Sequence, residues 1–332
     1  EIESLIDITE IIDTQEGIKE NLFQNILMTI ISCKQKGLST KNCELELLRF
    51  EEDFFNLDPE SFDSLFPEIK DKYPTFFLDN KVDYKKDILL NDTLRDIFDS
   101  VQSVFKGELF NQSQIKSGFC KYNSYYPNET LSFVTYIEGS FDYRYPVVYS
   151  DDKLYISIDL FLGSDHSFYS ALPKYIRISH DKKYIPSISF LALAGKHIPV
   201  SETNSFISTI LYYAKAYYFT KSMLDGVEDY VLFKCSVEKM NWCEKNESTI
   251  WEYMIENDYL FSSDPELNER FVYLSPFSKF GLSIDQYSPG GVGVWIGLKI
   301  IESYVKHNNV SLYDLLIEQD YNKILNKSGY RP

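Results

Sequence analysis

Three glycines constrain this chain more than any other feature. They lie in Ser288-Pro289-Gly290-Gly291-Val292-Gly293-Val294-Trp295-Ile296-Gly297. Gly290, Gly293 and Gly297 fall at i, i+3 and i+7, which strips the side chains from one face of a helix predicted over 289–306. A glycine inside a helix costs about 1 kcal/mol relative to alanine. The pattern is therefore sustainable only where a second element packs close enough to offset that loss. Ser288 is placed to cap this helix, and Pro289 suits its first turn. No strand precedes the glycines, so they do not form a dinucleotide-binding fingerprint. All three tryptophans, Trp242, Trp251 and Trp295, fall within 240–304 around this block.

The remaining periodicity gives an α+β chain dominated by helix. Phe62, Leu65 and Phe66, then Leu94, Ile97, Phe98, Val101, Val104 and Phe105, recur at helical spacing and predict a helical N-terminal lobe over 46–127. Pro74 closes one segment and Asn91-Asp92 opens the next. Residues 131–137, 145–149 and 153–160 are short, β-branched and aromatic, and predict a small antiparallel sheet. Helices are expected over 203–221, 236–257, 289–306 and 311–317, in a second domain spanning 128–332 and continuous with the lobe.

Residues 1–45 have another character. Ile26-Leu27-Met28-Thr29-Ile30-Ile31-Ser32-Cys33 is an apolar run with a small residue before cysteine, preceded by Lys19 and Glu20. It fits either a bacterial lipoprotein signal, with Cys33 as the lipidated residue and a polar tether to 45, or an amphipathic helix.

Charge and cysteines exclude several classes. A formal net charge of −17 argues against a nucleic-acid surface, which needs clustered Lys and Arg. Cys33, Cys43, Cys120, Cys235 and Cys243 show neither CxxC pairs nor a disulfide framework, and Cys235 and Cys243 read as two buried thiols in preference to a pair. His166, His180, His197 and His307 contain no HExxH pair, and there is no nucleophile elbow or phosphate loop. No metal and no cofactor are expected. Asp165-His166 reads as a loop hydrogen bond, and the Tyr212, Tyr213, Tyr217, Tyr218 run as core.

Two charged residues sit on apolar stripes. Glu247 shares a face with Cys243, Ile250 and Met254, and Lys215 lies close to the stripe of Ile207, Leu211 and Tyr218. A lone buried charge costs several kcal/mol, so such residues pair, neutralise or snorkel to water.

Several fragments occur in a specific order: Arg49-Phe50-Glu51, Tyr73-Pro74-Thr75-Phe76-Phe77, Ile158-Asp159-Leu160-Phe161-Leu162-Gly163, Leu172-Pro173-Lys174-Tyr175-Ile176, Asn246-Glu247 with Ile250-Trp251, and Ser288-Pro289-Gly290. Together, over about 49–332, they resemble the gliding-motility lipoprotein GldB of Bacteroidota. Within them Pro173, Tyr175, Asn246, Trp251 and Trp295 are read as motif or packing positions. The resemblance favours Cys33 as a lipid anchor at the periplasmic face of the outer membrane. It implies partners among other motility or type IX secretion lipoproteins and envelope proteins, with membrane contact through the lipid alone. One departure is Ala214, where that family tends to have glycine, which relaxes the close helix approach there. The family's latter part is also similar to predicted zinc peptidases. On that deeper likeness the fold is zincin-like, Leu211-Tyr212-Tyr213-Ala214-Lys215 replaces HExxH, and Glu247 stands near the usual third ligand. The resemblance thus implies a buried Lys215–Glu247 pair in an inactive, binding-type protein. The rival readings are a peptidase or glycan-cleaving hydrolase using Glu247, and an aromatic-surface module binding glycans or proteins.

Overall fold

A computed structural model describes residues 43, 45–77, 82–107, 112–200 and 202–332. Cys33 and the apolar segment before it lie outside the described residues. The helices in chain order are α1 (Phe50–Phe55), α2 (Phe62–Lys72), α3 (Val82–Leu89), α4 (Asp92–Val104), α5 (Gln112–Tyr125), α6 (Lys174–Arg177), α7 (Ile185–Ala194), α8 (Phe206–Met223), α9 (Asp229–Leu232), α10 (Val237–Lys245), α11 (Glu247–Glu256), α12 (Glu266–Phe271), α13 (Val292–Asn308), α14 (Leu312–Ile317) and α15 (Tyr321–Ser328). The strands are β1 (Glu46–Arg49), β2 (Ser132–Tyr136), β3 (Val147–Ser150) and β4 (Lys153–Ser157). The fold is mainly helical α+β, as the periodicity predicts.

The sheet corrects the sequence reading. Its order is β1-β2-β4-β3, and only the β3–β4 hairpin is antiparallel; β2 runs parallel to both β1 and β4. Asp151 and Asp152 turn the hairpin with φ of 49° and 58°, the left-handed pair that matches strand twist. The strand missed from sequence, β1, is four residues long and runs straight into α1, so its pattern is hidden by the helix start at Phe50.

Central position explains the burial of β2. Phe133 joins Leu154 and Ile156 in a core facing α5, α7 and α8, whereas Val134 and Tyr155 face a phenylalanine-rich cluster of Phe50, Phe54, Phe62, Phe66 and Phe77. Alternate residues of one strand thus serve opposite cores, as expected for a strand covered on both faces. A third core joins α8 to α10–α13.

A second correction concerns the cysteines. Cys43 and Cys120 form a disulfide with a Cα–Cα distance of 5.6 Å, closing 77 residues of sequence. Spacing alone carries no signal for such a long-range bridge. It ties the entry to β1 onto α5, and loop-closure entropy for this length is worth roughly 4–5 kcal/mol. Cys235 and Cys243 are free and buried, as read from sequence.

Two of the three glycines, Gly293 and Gly297, form the predicted helix face; Gly290 lies before the helix, which begins at Val292. A Cβ at Gly297 would lie 2.7 Å from the Ile210 carbonyl oxygen and 3.0 Å from Ala214 Cβ, and one at Gly293 would lie 2.9 Å from the Phe271 carbonyl oxygen. Gly297→Ala gains about 1 kcal/mol of helix propensity but must push backbone apart. We expect net destabilisation of roughly 1–3 kcal/mol by urea unfolding; an unchanged midpoint would contradict the close contact.

His197 provides an acid-sensitive point. Its ring stacks on Tyr126 at 4.0 Å, lies near Phe219, and has Nε2 3.0 Å from the Tyr122 hydroxyl. Burial pulls its pKa down to about 4; Glu129 opposes this and Lys196 reinforces it. The folded state therefore binds fewer protons than the unfolded chain between the ordinary imidazole pKa and that value. The corresponding stability is present above that window and lost as pH falls through it, by up to ~3 kcal/mol. His197→Gln should flatten this acid limb in denaturation curves taken across the window.

Candidate functional site

The predicted centre lies on α8. Ser205 and Ser208 form a reciprocal capping box that starts this helix, and eighteen residues carry it through the middle of the molecule. Ala214 and Lys215 fall where α13 crosses, with Gly297 set against Ala214. Alanine at 214 is accommodated because the glycine is on the opposite helix.

Lys215 is 1% exposed. Its ammonium donates to the carbonyl oxygens of Leu316, at 3.2 Å, and Glu318, and sits 5.0 Å from the centroid of Tyr321. Leu316 is in the last turn of α14, whose exposed carbonyls carry partial negative charge. The lysine thus closes a helix C-terminus from the side. Burial lowers its pKa to about 8, opposed by the nearby Glu318 carboxylate.

Glu247 has a different partner. It opens α11, is half-buried, and accepts a hydrogen bond of 2.8 Å from the Tyr330 hydroxyl; Trp251 meets the same ring edge-on at 5.2 Å. The expected Lys215–Glu247 ion pair is therefore corrected: no such pair forms, and each residue holds a different part of the C-terminal segment. The helix read over 236–257 is also two helices. Asn246 breaks it with φ −116° and ψ 16°, its side chain donating to the Trp242 carbonyl at 2.7 Å. Cys243, Ile250 and Met254 remain buried as predicted, while Glu247 stays at the edge under Tyr330.

Ser288 departs from its predicted role as well. The cap of α13 is Gly291, with φ 74°, and the Val292 amide is satisfied by Ser278 Oγ at 3.1 Å. Ser288 Oγ instead donates to the Asp285 carbonyl at 2.7 Å and accepts from the Ser278 amide at 3.0 Å, pinning the loop that delivers the chain to the helix. Gly290 precedes the helix and abuts the Ser275 backbone too closely for a side chain. Trp295 is fully buried at the helix contact, with Lys299 Nζ 5.2 Å above its ring.

A buried polar centre escaped sequence reasoning. Asp159 is fully buried and accepts from the amides of Glu138, at 3.2 Å, and Gly139, at 3.0 Å, and from Ser157 Oγ at 2.9 Å. Burial raises its pKa, against the pull of these donors. Tyr169 donates to the Asp159 carbonyl, and its ring stacks on His180 at 4.5 Å. His180 Nδ1 contacts the Leu160 carbonyl at 2.6 Å, and Nε2 has no partner among the described residues. The signal available was an aspartate inside the apolar run 158–162. His166, by contrast, accepts from the Phe168 amide within its own loop, as read. Among the described residues no three His, Cys, Asp or Glu side chains form a metal-holding group.

Two blocks that sequence could not connect meet in space. Pro173 starts α6, and Lys174 and Tyr175 on it share the wall of a cavity of about 380 Å³ with Pro289 and Gly290. The family model for gliding motility protein GldB matches residues 32–332. The chain belongs to the GldB family. Neither the curated proteins nor the solved structures contain a match. GldB membership makes this a gliding-motility-associated protein, and the family is named for lipoproteins. No helix among the described residues is long and apolar enough to cross a membrane. The GldB match spans β1, the phenylalanine cluster and the helical body alike.

The separate partners of Lys215 and Glu247 predict additivity. Lys215→Met leaves buried carbonyls unsatisfied and should cost about 1–3 kcal/mol. Glu247→Gln keeps an acceptor for Tyr330 and should cost about 1 kcal/mol or less. In urea unfolding of the four variants the two losses should sum within ~0.5 kcal/mol; recovery of stability in the double variant would restore the ion pair.

Proposed function

We propose that this chain is a non-catalytic binding component of the gliding-motility machinery and the type IX secretion apparatus linked to it. It is held by a lipid on Cys33 at the periplasmic face of the outer membrane, and its fold is an inactive relative of metallopeptidases. The observation that supports this most is the Lys215 ammonium. At the helix position that would carry catalytic ligands in an active relative, the chain has a cation engaged with the carbonyls of Leu316 and Glu318. The carboxylate nominated for hydrolysis, Glu247, is likewise engaged by Tyr330. Both groups hold the C-terminal segment in place, which supports a structural use for each over a catalytic one. The Cys43–Cys120 bridge supports an envelope location, because disulfides persist in oxidising compartments. Partners are then other lipoproteins or envelope proteins of the same machinery.

In a gliding cell that depends on this chain, Glu247→Gln should preserve gliding at wild-type protein levels. Cys33→Ser should release the protein from the membrane fraction and abolish gliding. Loss of gliding in a stable, abundant Glu247→Gln protein would favour hydrolysis. A Cys33→Ser protein that stays membrane-bound and functional would overturn the anchor.

A further inference from the structure

The cavity between α6, the N-terminus of α10 and the loop before α13 has a charge pattern at odds with the whole chain. The protein carries 50 acidic and 33 basic residues. Yet Lys174, Lys234 and Lys239 line this cavity, and no Asp or Glu does. Its remaining walls are mainly apolar, with Tyr175, Phe233, Leu274 and Pro289 supplying much of the surface. Cys235 also faces it, but burial pushes that thiol up to about 12, so it supplies no negative charge at neutral pH.

The lysines are not neutralised within the protein. Lys239 donates to the carbonyl oxygens of Pro276 at 2.5 Å and Ser288 at 2.7 Å, which solvates its charge without cancelling it. Lys174 and Lys234 make no ion pair and no side-chain hydrogen bond among the described residues. Burial holds Lys234 below the usual lysine range. Its backbone position adds a second argument. Lys234 closes α9 in a Schellman turn, its amide donating to Val231 and that of Cys235 to Tyr230, with φ of 50°. Glycine is the usual residue there, and a side chain in this left-handed region is strained. The chain carries that strain, and a half-buried lysine with no ion-pair partner among the described residues, at one wall of a ligand-sized cavity. Ser236 caps α10 at the same wall, so the positive end of that helix adds to the field.

We propose that this cavity binds a carboxylate borne at the end of an apolar body, with Lys234 and Lys174 meeting the carboxylate and the Tyr175, Phe233 and Leu274 surfaces taking the body. Single ammonium groups on an otherwise apolar wall suit one small anionic group. A phosphate, with more acceptors to satisfy, is more often met by arginine forks or runs of backbone amides. Leu274 is 51% exposed at the cavity wall, and its neighbour Tyr273 is also exposed, so apolar surface continues outside for a ligand longer than the cavity. Two sources carry this chemistry, the C-terminus of a polypeptide and a free fatty acid.

The inference rests on the binding reading above and is tested apart from it. The purified full chain is titrated with a hexapeptide ending in Leu-Leu, as free acid and as amide, and with decanoate and decanamide. At least one acid should bind roughly tenfold or more tighter than its amide, and more weakly as salt rises; the tighter acid identifies the source. Lys234→Met should bring the acid to the affinity of the amide, and Lys174→Gln, at an exposed position, should weaken it several-fold with an unchanged melting temperature. Equal binding of acid and amide to the wild type overturns the proposal without reliance on any variant, as does no binding at millimolar concentration. A hexapeptide recovered shortened would overturn the non-catalytic reading and leave the anion site standing.

Discussion

Backbone meets backbone where α8 crosses α13, and most of the C-terminal half depends on that contact. Gly297 lies against the Ile210 carbonyl and the small side chain of Ala214, and Gly293 against the Phe271 carbonyl and the Ile210 and Phe206 side chains. At this separation every larger residue flanking the contact is forced into a fixed place: Trp295 is sealed in, and Ile210, Leu211 and Ile296 are completely buried. Close packing of this kind tolerates little volume change, because neighbours relax only partly around an added or deleted methylene. The same contact puts Lys215 one residue beyond Ala214, inside the core and within reach of α14. The lysine is therefore buried by the geometry of its helix rather than by attraction to an acid.

That distinction explains why Lys215 was legible as an interior charge while its partners were not. Helical periodicity reports which face of a helix is turned inward, and it placed Lys215 correctly, whereas Glu247 lies at the edge because the helix breaks at Asn246. Periodicity says nothing about what lies opposite. Backbone carbonyls at the end of a short helix are invisible to any sequence pattern, yet for an ammonium they are adequate ligands, since each accepts without bringing a second charge to desolvate. Glu247 was met in the same way by Tyr330, a residue near the chain terminus with no motif around it. The glycine face was legible at Gly293 and Gly297, because absent side chains at that spacing have few other uses, while Gly290 proved to belong to the loop before the helix. That loop was not legible, since Ser278 takes the capping role assigned to Ser288 from ten residues upstream.

The sheet shows a related limit. Its residues were found, apart from β1, but their pairing was not, because alternation fixes a strand's faces and not its neighbours. Adjacent segments were assumed to pair in hairpin fashion, and only β3 with β4 does so. β1 arrives beside β2 from 86 residues upstream by register, Glu46 opposite Ser132, and the Cys43–Cys120 bridge fastens the chain just before it. Bridge and strand together join the phenylalanine-rich cluster to the body, so the N-terminal lobe shares the sheet instead of merely abutting it.

The division of labour among the charged residues follows from these constraints. Asp159, Lys215 and Glu247 all have partners within the chain, and each of those partners organises a loop or a terminus: the turn at Gly139, the end of α14, and Tyr330. Such groups are expensive to bury, and their hydrogen bonds offset that expense, which leaves them little capacity for a ligand. Lys234 and Lys174 differ in having no such partner among the described residues. A site that takes up a ligand needs some polar groups that the chain does not satisfy itself. On this chain the cationic cavity beside α6 meets that condition, and the Lys215 centre does not.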